Sequence, residues 1–224
     1  MTDAAPDPAE RFVVGVGPWQ GPWPGDPRYD AILLEYGDQR NVADRYRYWH
    51  LDAITADLDK RRHPFHVAVE NWRHDFNIGS VVRTANAFLA AEVHIVGRRR
   101  WNRRGAMVTD RYQHIRHHTK IEDFVCWAGE AGLPVLGIDN LPGSQPIETA
   151  VLPFAGILVF GQEGTGLSDE MRAVCNPTLS IAQFGSTRSI NAGAAAAIAM
   201  HTWIRQHAVL STAAATQPDL PSRA

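Results

Sequence analysis

Residues 65–97 read FHVAVENWRHDFNIGSVVRTANAFLAAEVHIVG, and the change of period inside them sets the fold. His66–Glu70 is a short run of strand character. From Asn77 the apolar positions move to helical spacing. Ile78, Val82, Ala85 and Leu89 share one stripe, Arg83 lies beside it, and Asn77 is a natural N-cap for a helix over Asn77–Ala90. Glu92–Val96 returns to strand. Strand, helix, strand in about thirty residues is the unit from which parallel sheets are built.

The alternation continues towards the C-terminus. After a basic loop come a helix near Ile121–Ala131, a strand Pro134–Ile138, a weak helix Ile147–Leu152 and a buried strand Gly156–Phe160. A short helix Leu167–Val174, a strand Thr178–Ile181 and a long helix Ser189–His207 complete it. Such order predicts an α/β fold, a mostly parallel sheet with helices on both faces. On the N-terminal side, residues 1–27 are rich in Pro and Gly, with Trp19 and Trp23 among them. Val42, Tyr46, Trp49, Ala53 and Ile54 then predict a helix within 41–62 that His63-Pro64 ends. The expected organisation is a Pro/Gly-rich and helical N-terminal extension over 1–63, a main domain over 64–210 and a frayed tail over 211–224.

Charge narrows the function classes. The 224 residues carry a net charge of −2, which excludes a general basic coat, yet Arg98–Lys120 holds eight basic residues and one acid, Asp110. That +7 segment leaves −9 on the rest, the pattern of a polyanion-facing patch on an acidic body. Within it Trp101 and Tyr112 interleave with Arg98, Arg99, Arg100, Arg103, Arg104, Arg111 and Arg116. Guanidinium forks grip phosphates and aromatic faces stack on bases, a combination suited to RNA. The two cysteines, Cys126 and Cys175, are too far apart for a metal-ligand motif and make no disulfide framework. Neither a signal peptide nor an 18-residue apolar span is expected, and the chain reads as soluble and cytoplasmic.

Two further segments carry candidate chemistry. Residues 161–168, GQEGTGLS, follow a buried strand and precede a helix. Leu167 stands where a phosphate-binding loop needs lysine, and Glu163 would put a carboxylate among the phosphates, so a nucleotide triphosphatase is disfavoured. The loop serves either as a tight strand–helix turn or as a place where backbone approaches a ligand closely. Ser189 is a plausible N-cap for the last helix, whose small residues 192–197 permit close packing. His114, His117 and His118 have helical spacing, but no further ligand converges on them, so no metal is expected there.

Three segments in order, residues 77–88 (NIGSVVRTANAF), 159–168 (VFGQEGTGLS) and 181–192 (IAQFGSTRSINA), resemble the SPOUT superfamily of RNA methyltransferases, in its SpoU/TrmH 2′-O-ribose branch. The resemblance covers roughly Phe65 to His207. It implies a C-terminal trefoil knot, an element the residue patterns alone would not suggest. It further implies S-adenosylmethionine as methyl donor, a homodimer, and tRNA or rRNA as partner, with no need of a metal. Carried over position by position, Arg83 matches the catalytic arginine, and Asn77, Glu163, Ser189 and Asn191 the other polar site positions. Gly161, Ile181 and Ile190 match the cofactor-holding backbone, with Ile138 completing the adenine pocket. Ile181-Ala182-Gln183 replaces a frequent Ile-Pro-Met, Ser-Ile-Asn the usual Ser-Leu-Asn, and Phe88-Leu89 a frequent Phe-Gly. The polar set is intact. The expected activity is 2′-O-ribose methylation of RNA, with tRNA the first choice and rRNA the second. Base methylation and a non-catalytic RNA-binding role are the alternatives. Arg40, Arg45, Arg47, Arg61 and Arg62 are expected to extend the RNA surface.

Overall fold

The computed structural model describes residues 15–72, 77–162 and 164–208. They form two compact units, one up to Asp57 and one from Leu58.

In the N-terminal unit, helix α1 (Ala31–Tyr36) starts at Asp30, whose carboxylate accepts from the Ile32 N–H at 2.9 Å. The helix predicted within 41–62 is shorter: a 3₁₀ turn occupies Asp44–Tyr46, and helix α2 runs only over Leu51–Asp59. Aromatic packing explains the difference. Trp19 meets Tyr48 edge-on at 5.4 Å and Tyr29 at 6.0 Å, while Trp49 meets Tyr46 at 5.5 Å. A continuous helix would fan these rings around its circumference. Instead Tyr48 takes a left-handed conformation, φ 63°, that turns its neighbours into one cluster.

Asp38 anchors this unit from a fully buried position. It accepts from Arg40 Nε at 2.8 Å, from Arg40 Nη2 at 2.7 Å and from the Tyr48 N–H at 2.9 Å. Burial pushes the carboxyl pKa up, but the hydrogen bonds from Arg40 and the Tyr48 N–H outweigh it and hold it below the usual value. A folded-state value below the unfolded one gives stability that is complete above about pH 4 and is lost as pH falls through the folded value. Asp38→Asn should therefore destabilise this unit by about 2 kcal/mol at neutral pH, the range for losing hydrogen bonds to a charged group. It should also flatten the acid limb of its denaturation, followed by tryptophan fluorescence; an unchanged acid limb would exclude Asp38 as its source.

The larger unit is built on seven strands: β1 (Phe65–Asn71), β2 (Val93–Gly97), β3 (Ile115–His118), β4 (Val135–Ile138), β5 (Gln145–Pro146), β6 (Gly156–Phe160) and β7 (Thr178–Ser180). Their order is β3-β2-β1-β6-β4-β7-β5, and every pairing is parallel. Side chains alternate between the two faces of a strand. Val67 and Val69 of β1, with Leu158 and Phe160 of β6, therefore enter one core, while Ala68, Ile157 and Val159 enter another. Helices α3 (Ile78–Ala87) and α6 (Ala192–His207) close the first core through Ile78, Val81, Val82, Ala196, Met200 and Trp203. Helices α4 (Ile121–Glu130) and α5 (Asp169–Val174) close the second through Ile121, Phe124, Ala128 and Met171. With both faces covered, each fully buried Val, Leu, Ile or Phe contributes about 1.5–3 kcal/mol. No helix among the described residues is long and apolar enough to cross a membrane.

Three local expectations are corrected. His114, His117 and His118 do not share a helical face, because residues 115–118 form edge strand β3. His114 instead lies 2.8 Å from Asp59, and His117 reaches the Gly97 carbonyl at 2.7 Å. Residues 147–152 form no helix: Gln206 of α6 donates to the Ala150 carbonyl and accepts from the Leu152 N–H, so this backbone is satisfied by a side chain. Helix α6 begins at Ala192, not Ser189, and its N-cap is Asn191.

Candidate active site

In an open parallel sheet, ligands bind beyond the carboxyl ends of the strands. Here the loops leaving β4, β6 and β7 enclose a cleft of about 470 Å³, within the range of small-molecule sites. All four residues expected to hold a cofactor, Ile138, Gly161, Ile181 and Ile190, line it, as do Ser189 and Asn191. Asp139, Gln183 and Arg188 line it too.

The loop after β6 explains its glycines. Gln162 and Gly166 exchange backbone hydrogen bonds, both at 2.9 Å, so the chain folds straight back on itself. A Cβ on Gly161 would overlap the backbone of Gly166 and Leu167. Gly166, φ 69°, turns where a side chain would strike Asp139. Two carboxylates pin the returning strand: Asp139 accepts from the Leu167 N–H at 2.9 Å, and Glu70 from the Ser168 N–H at 2.8 Å and hydroxyl at 2.7 Å. Glu163 lies outside the described residues.

The first and third sequence motifs meet at the cleft rim. Asn191 caps α6 through its Oδ1, which accepts from the Gly193 and Ala194 N–H groups. Its Nδ2 donates to Asn77 Oδ1 at 2.9 Å. Asn77 makes no capping bond of its own to α3; the tie to Asn191, 114 residues on, engages its oxygen instead. A Cβ on Gly193 would lie 3.3 Å from Ser80 Cβ, so the two helix N-termini are close-packed. Arg83 stands one turn beyond Ser80, exposed, with no ion-pair partner among the described residues and outside the set lining the cleft.

The basic segment leaves β2 at the same carboxyl edge. Asn71, buried at the end of β1, donates from Nδ2 to the carbonyls of Arg98 at 2.7 Å and Arg100 at 2.9 Å. The 3₁₀ turn Arg103–Ala106 then packs onto α3: a Cβ on Gly79 would lie 2.7 Å from the Ala106 nitrogen and 2.8 Å from Gly105 Cα. Arg98, Arg99, Arg100, Arg103, Arg104 and Arg111 are all exposed. Arg103 lies over Trp101 at 5.6 Å. Arg116 is apart from them, on β3, with Nε 3.1 Å from Glu92 and its guanidinium over Trp127. Arg40, Arg47 and Arg62 are also engaged: Arg40 with Asp38, Arg47 with the Arg40 carbonyl, and Arg62 with Asp59, Gln113 and the Tyr112 carbonyl. Gly79→Ala should displace the basic turn. The overpacking cost should be about 1–2 kcal/mol, read from the midpoint of thermal unfolding. Small-ligand binding in the cleft should persist.

Residues 64–201 match the SpoU rRNA Methylase family. The chain belongs to that family. An uncharacterized tRNA/rRNA methyltransferase of Mycolicibacterium vanbaalenii is 31% identical over 177 residues, a match covering 72% of this chain and 53% of the relative. This SpoU-family chain thus spans about half the length of the curated relatives it matches. The AdoMet-bound rRNA methyltransferase of Sinorhizobium meliloti superposes with a TM-score of 0.59 at 27% identity, over 69% of this chain and 61% of that one. A structure bearing on 2-OH methylation of C/U34 on tRNA gives 0.57 at 26% identity, over 64% of this chain and 96% of that one.

Three positioning residues of this SpoU-family site escape sequence reading: Glu70, Asn71 and Asp139. Glu70 and Asn71 are the last two residues of β1 and Asp139 follows β4, strands otherwise made for burial. A charged or amide side chain at that place is the signal that would have drawn attention to them.

Proposed function

We propose that this SpoU-family chain is an S-adenosylmethionine-dependent RNA 2′-O-ribose methyltransferase acting on tRNA. The observation that carries the reading is the convergence of three motifs on one cleft. Ile138, Gly161, Ile181 and Ile190 line it, the Asn77–Asn191 pair closes its rim, and Arg83 stands beside that rim near a basic segment. Apolar side chains with exposed loop backbone suit an adenosine, and Asp139 and Arg188 bring one charge of each sign to the lining, as a ligand with a sulfonium and a carboxylate requires. S-adenosylmethionine, when bound, supplies an electrophilic sulfonium methyl.

The chain's own residues supply the rest. A ribose 2′-OH is a poor nucleophile, so positioning has much to contribute. Arg83 binds the neighbouring phosphate and stabilises the charge that develops on the 2′-oxygen. Its guanidinium acts as a charged donor and not as the base. Asn77, Ser189 and Asn191 orient the substrate oxygen, and Glu163 orients Asn77 or Arg83.

A trefoil knot over the C-terminal strands is favoured by the entry of β7 between β4 and β5, whose connecting loop lies against later chain through the Asn140 bond to the Arg188 carbonyl. A homodimer is favoured by Val151 and Phe154, exposed where their segment runs along α6. Residues 1–63 form an RNA-contacting extension, for which Arg45 and Arg61 have exposed side chains. Transfer RNA is favoured because six exposed arginines form a recognition surface within the methylase unit itself.

The test is tritiated-methyl transfer to unmodified tRNA and rRNA, followed by alkaline digestion. Label in an alkali-resistant dinucleotide from tRNA is the expected result. Label only from rRNA would move the substrate, label in a base would overturn the reaction, and RNA binding without transfer would leave a non-catalytic module.

A further inference from the structure

Three histidines lie on β1, β2 and β3, strands whose loops do not line the cleft. His66 of β1, His94 of β2 and His118 of β3 stand in a row on the face of the sheet covered by α4. His66 Nδ1 is 3.0 Å from His94 Nε2, and His94 Nδ1 is 2.9 Å from His118 Nε2. The pairing Val67↔Val93 puts Glu92 opposite His66, and its carboxylate lies 3.8 Å from His94 Nε2. One ligand atom from each of His66, Glu92 and His94 falls within 4.8 Å of the others.

We propose that His66, Glu92 and His94 form a binding site for a zinc-class divalent cation that staples β1 to β2. Two imidazoles and one carboxylate are a zinc-type ligand set, with the fourth position left to water. Calcium and magnesium, which favour all-oxygen surroundings, are poorly served by it. The tautomers agree with this use. A cation on His94 Nε2 leaves the proton on His94 Nδ1, which donates to His118 Nε2, the outer partner that orients a metal-bound histidine. His66 need only carry its proton on Nε2 to offer Nδ1. Arg116, with Nε 3.1 Å from Glu92 Oε2, neutralises the carboxylate without the cation; the same oxygen lies 3.8 Å from His94 Nε2 and keeps a second lone pair for a cation.

The surroundings favour a structural site. His94 is fully buried, with Trp127 at 4.2 Å and Phe124 at 5.9 Å covering its ring. His66 and Glu92 are half-buried, which leaves a way in from solvent. His66 and Glu92 lie at the amino ends of their strands, whereas the cleft lies at the carboxyl ends. The cation therefore stabilises the sheet and takes no part in chemistry there.

The test uses the full chain stripped with a chelator, titrated with zinc chloride by calorimetry, and with Cu²⁺ while tryptophan fluorescence is followed. One tight equivalent is expected, with quenching that Trp127→Phe reduces. The midpoint of thermal unfolding should rise by roughly 5–10 °C at zinc a hundredfold above Kd. His66→Gln and Glu92→Gln should each weaken zinc binding by at least about tenfold, with binding of S-adenosylmethionine unchanged as the control for folding. Glu92→Gln, an isostere at a half-buried site, decides the matter should His66→Gln fail to fold. No tight zinc equivalent in the wild type, or equal affinity in wild type and both variants, would overturn the site and leave a hydrogen-bonded histidine row.

Discussion

Arg83→Ala is expected to lower the single-turnover rate of methyl transfer by about a hundredfold to a thousandfold, with affinity for S-adenosylmethionine held within about twofold. The size follows from removing one charged donor aimed at a developing oxyanion, worth about 2.7–4 kcal/mol in sites that exclude water. The selectivity follows from position. Arg83 is exposed on α3 and lies outside the residues lining the cleft, so truncating it creates no cavity and disturbs neither the loop after β6 nor the Asn77–Asn191 tie. Arg83→Lys keeps the charge but loses the fork, and should recover only part of the rate. Equal loss of cofactor affinity and rate in Arg83→Ala would show that this residue acts in binding and not in the transition state.

Gly161→Val should weaken S-adenosylmethionine binding by on the order of a hundredfold, about 3 kcal/mol at the upper range for bulk forced into a filled space. The obstacle is backbone. A Cβ at Gly161 meets the carbonyl carbon of Gly166 and the nitrogen of Leu167, and neither can rotate away as a side-chain tip would. Relief requires opening the Gln162–Gly166 hydrogen-bond pair and pulling Leu167 from Asp139. Gly164→Ala is the control. Gly164 has φ 89° but open space around it, so its substitution brings backbone strain alone, about 1 kcal/mol. Calorimetric titration of both variants separates the two effects, and similar losses would show that the loop tolerates bulk and fails only through strain.

Much of the fold was legible because period and composition are local. The β1–α3–β2 unit, β4, β6 and α4 follow from runs that switch between strand and helix character, and they are found within a residue or three of their expected bounds. Strand β3 was not legible. Its residues Ile115, Arg116, His117 and His118 carry no apolar alternation, because an edge strand with ion pairs on one face needs none. Helix α6 has two cap-competent residues at its start, Ser189 and Asn191, and propensity does not rank them. The bond from Asn191 to Asn77 and the close approach of Gly193 to Ser80 decide between them. Likewise residues 147–152 looked weakly helical because nothing nearby announced that Gln206, more than fifty residues on, would satisfy their backbone.

The sequence by itself determined the class of fold, the family, and Ile138, Gly161, Ile181, Ser189, Ile190 and Asn191 among the residues that line the cleft. These are encoded in contiguous segments whose spacing survives without knowledge of what faces them. Tertiary structure alone decided the setting of each arginine: it half-buries Arg40, Arg47 and Arg62, leaves Arg98, Arg99, Arg100, Arg103, Arg104 and Arg111 exposed, and pairs Arg116, itself exposed on β3, with Glu92. It also decided that Glu70 and Asp139 hold the loop of Gly161, and that His66, Glu92 and His94 converge. The reason is register. Parallel strands bring side chains 26 or 28 residues apart into contact through main-chain pairing, and no local pattern records which residue a distant strand will set opposite.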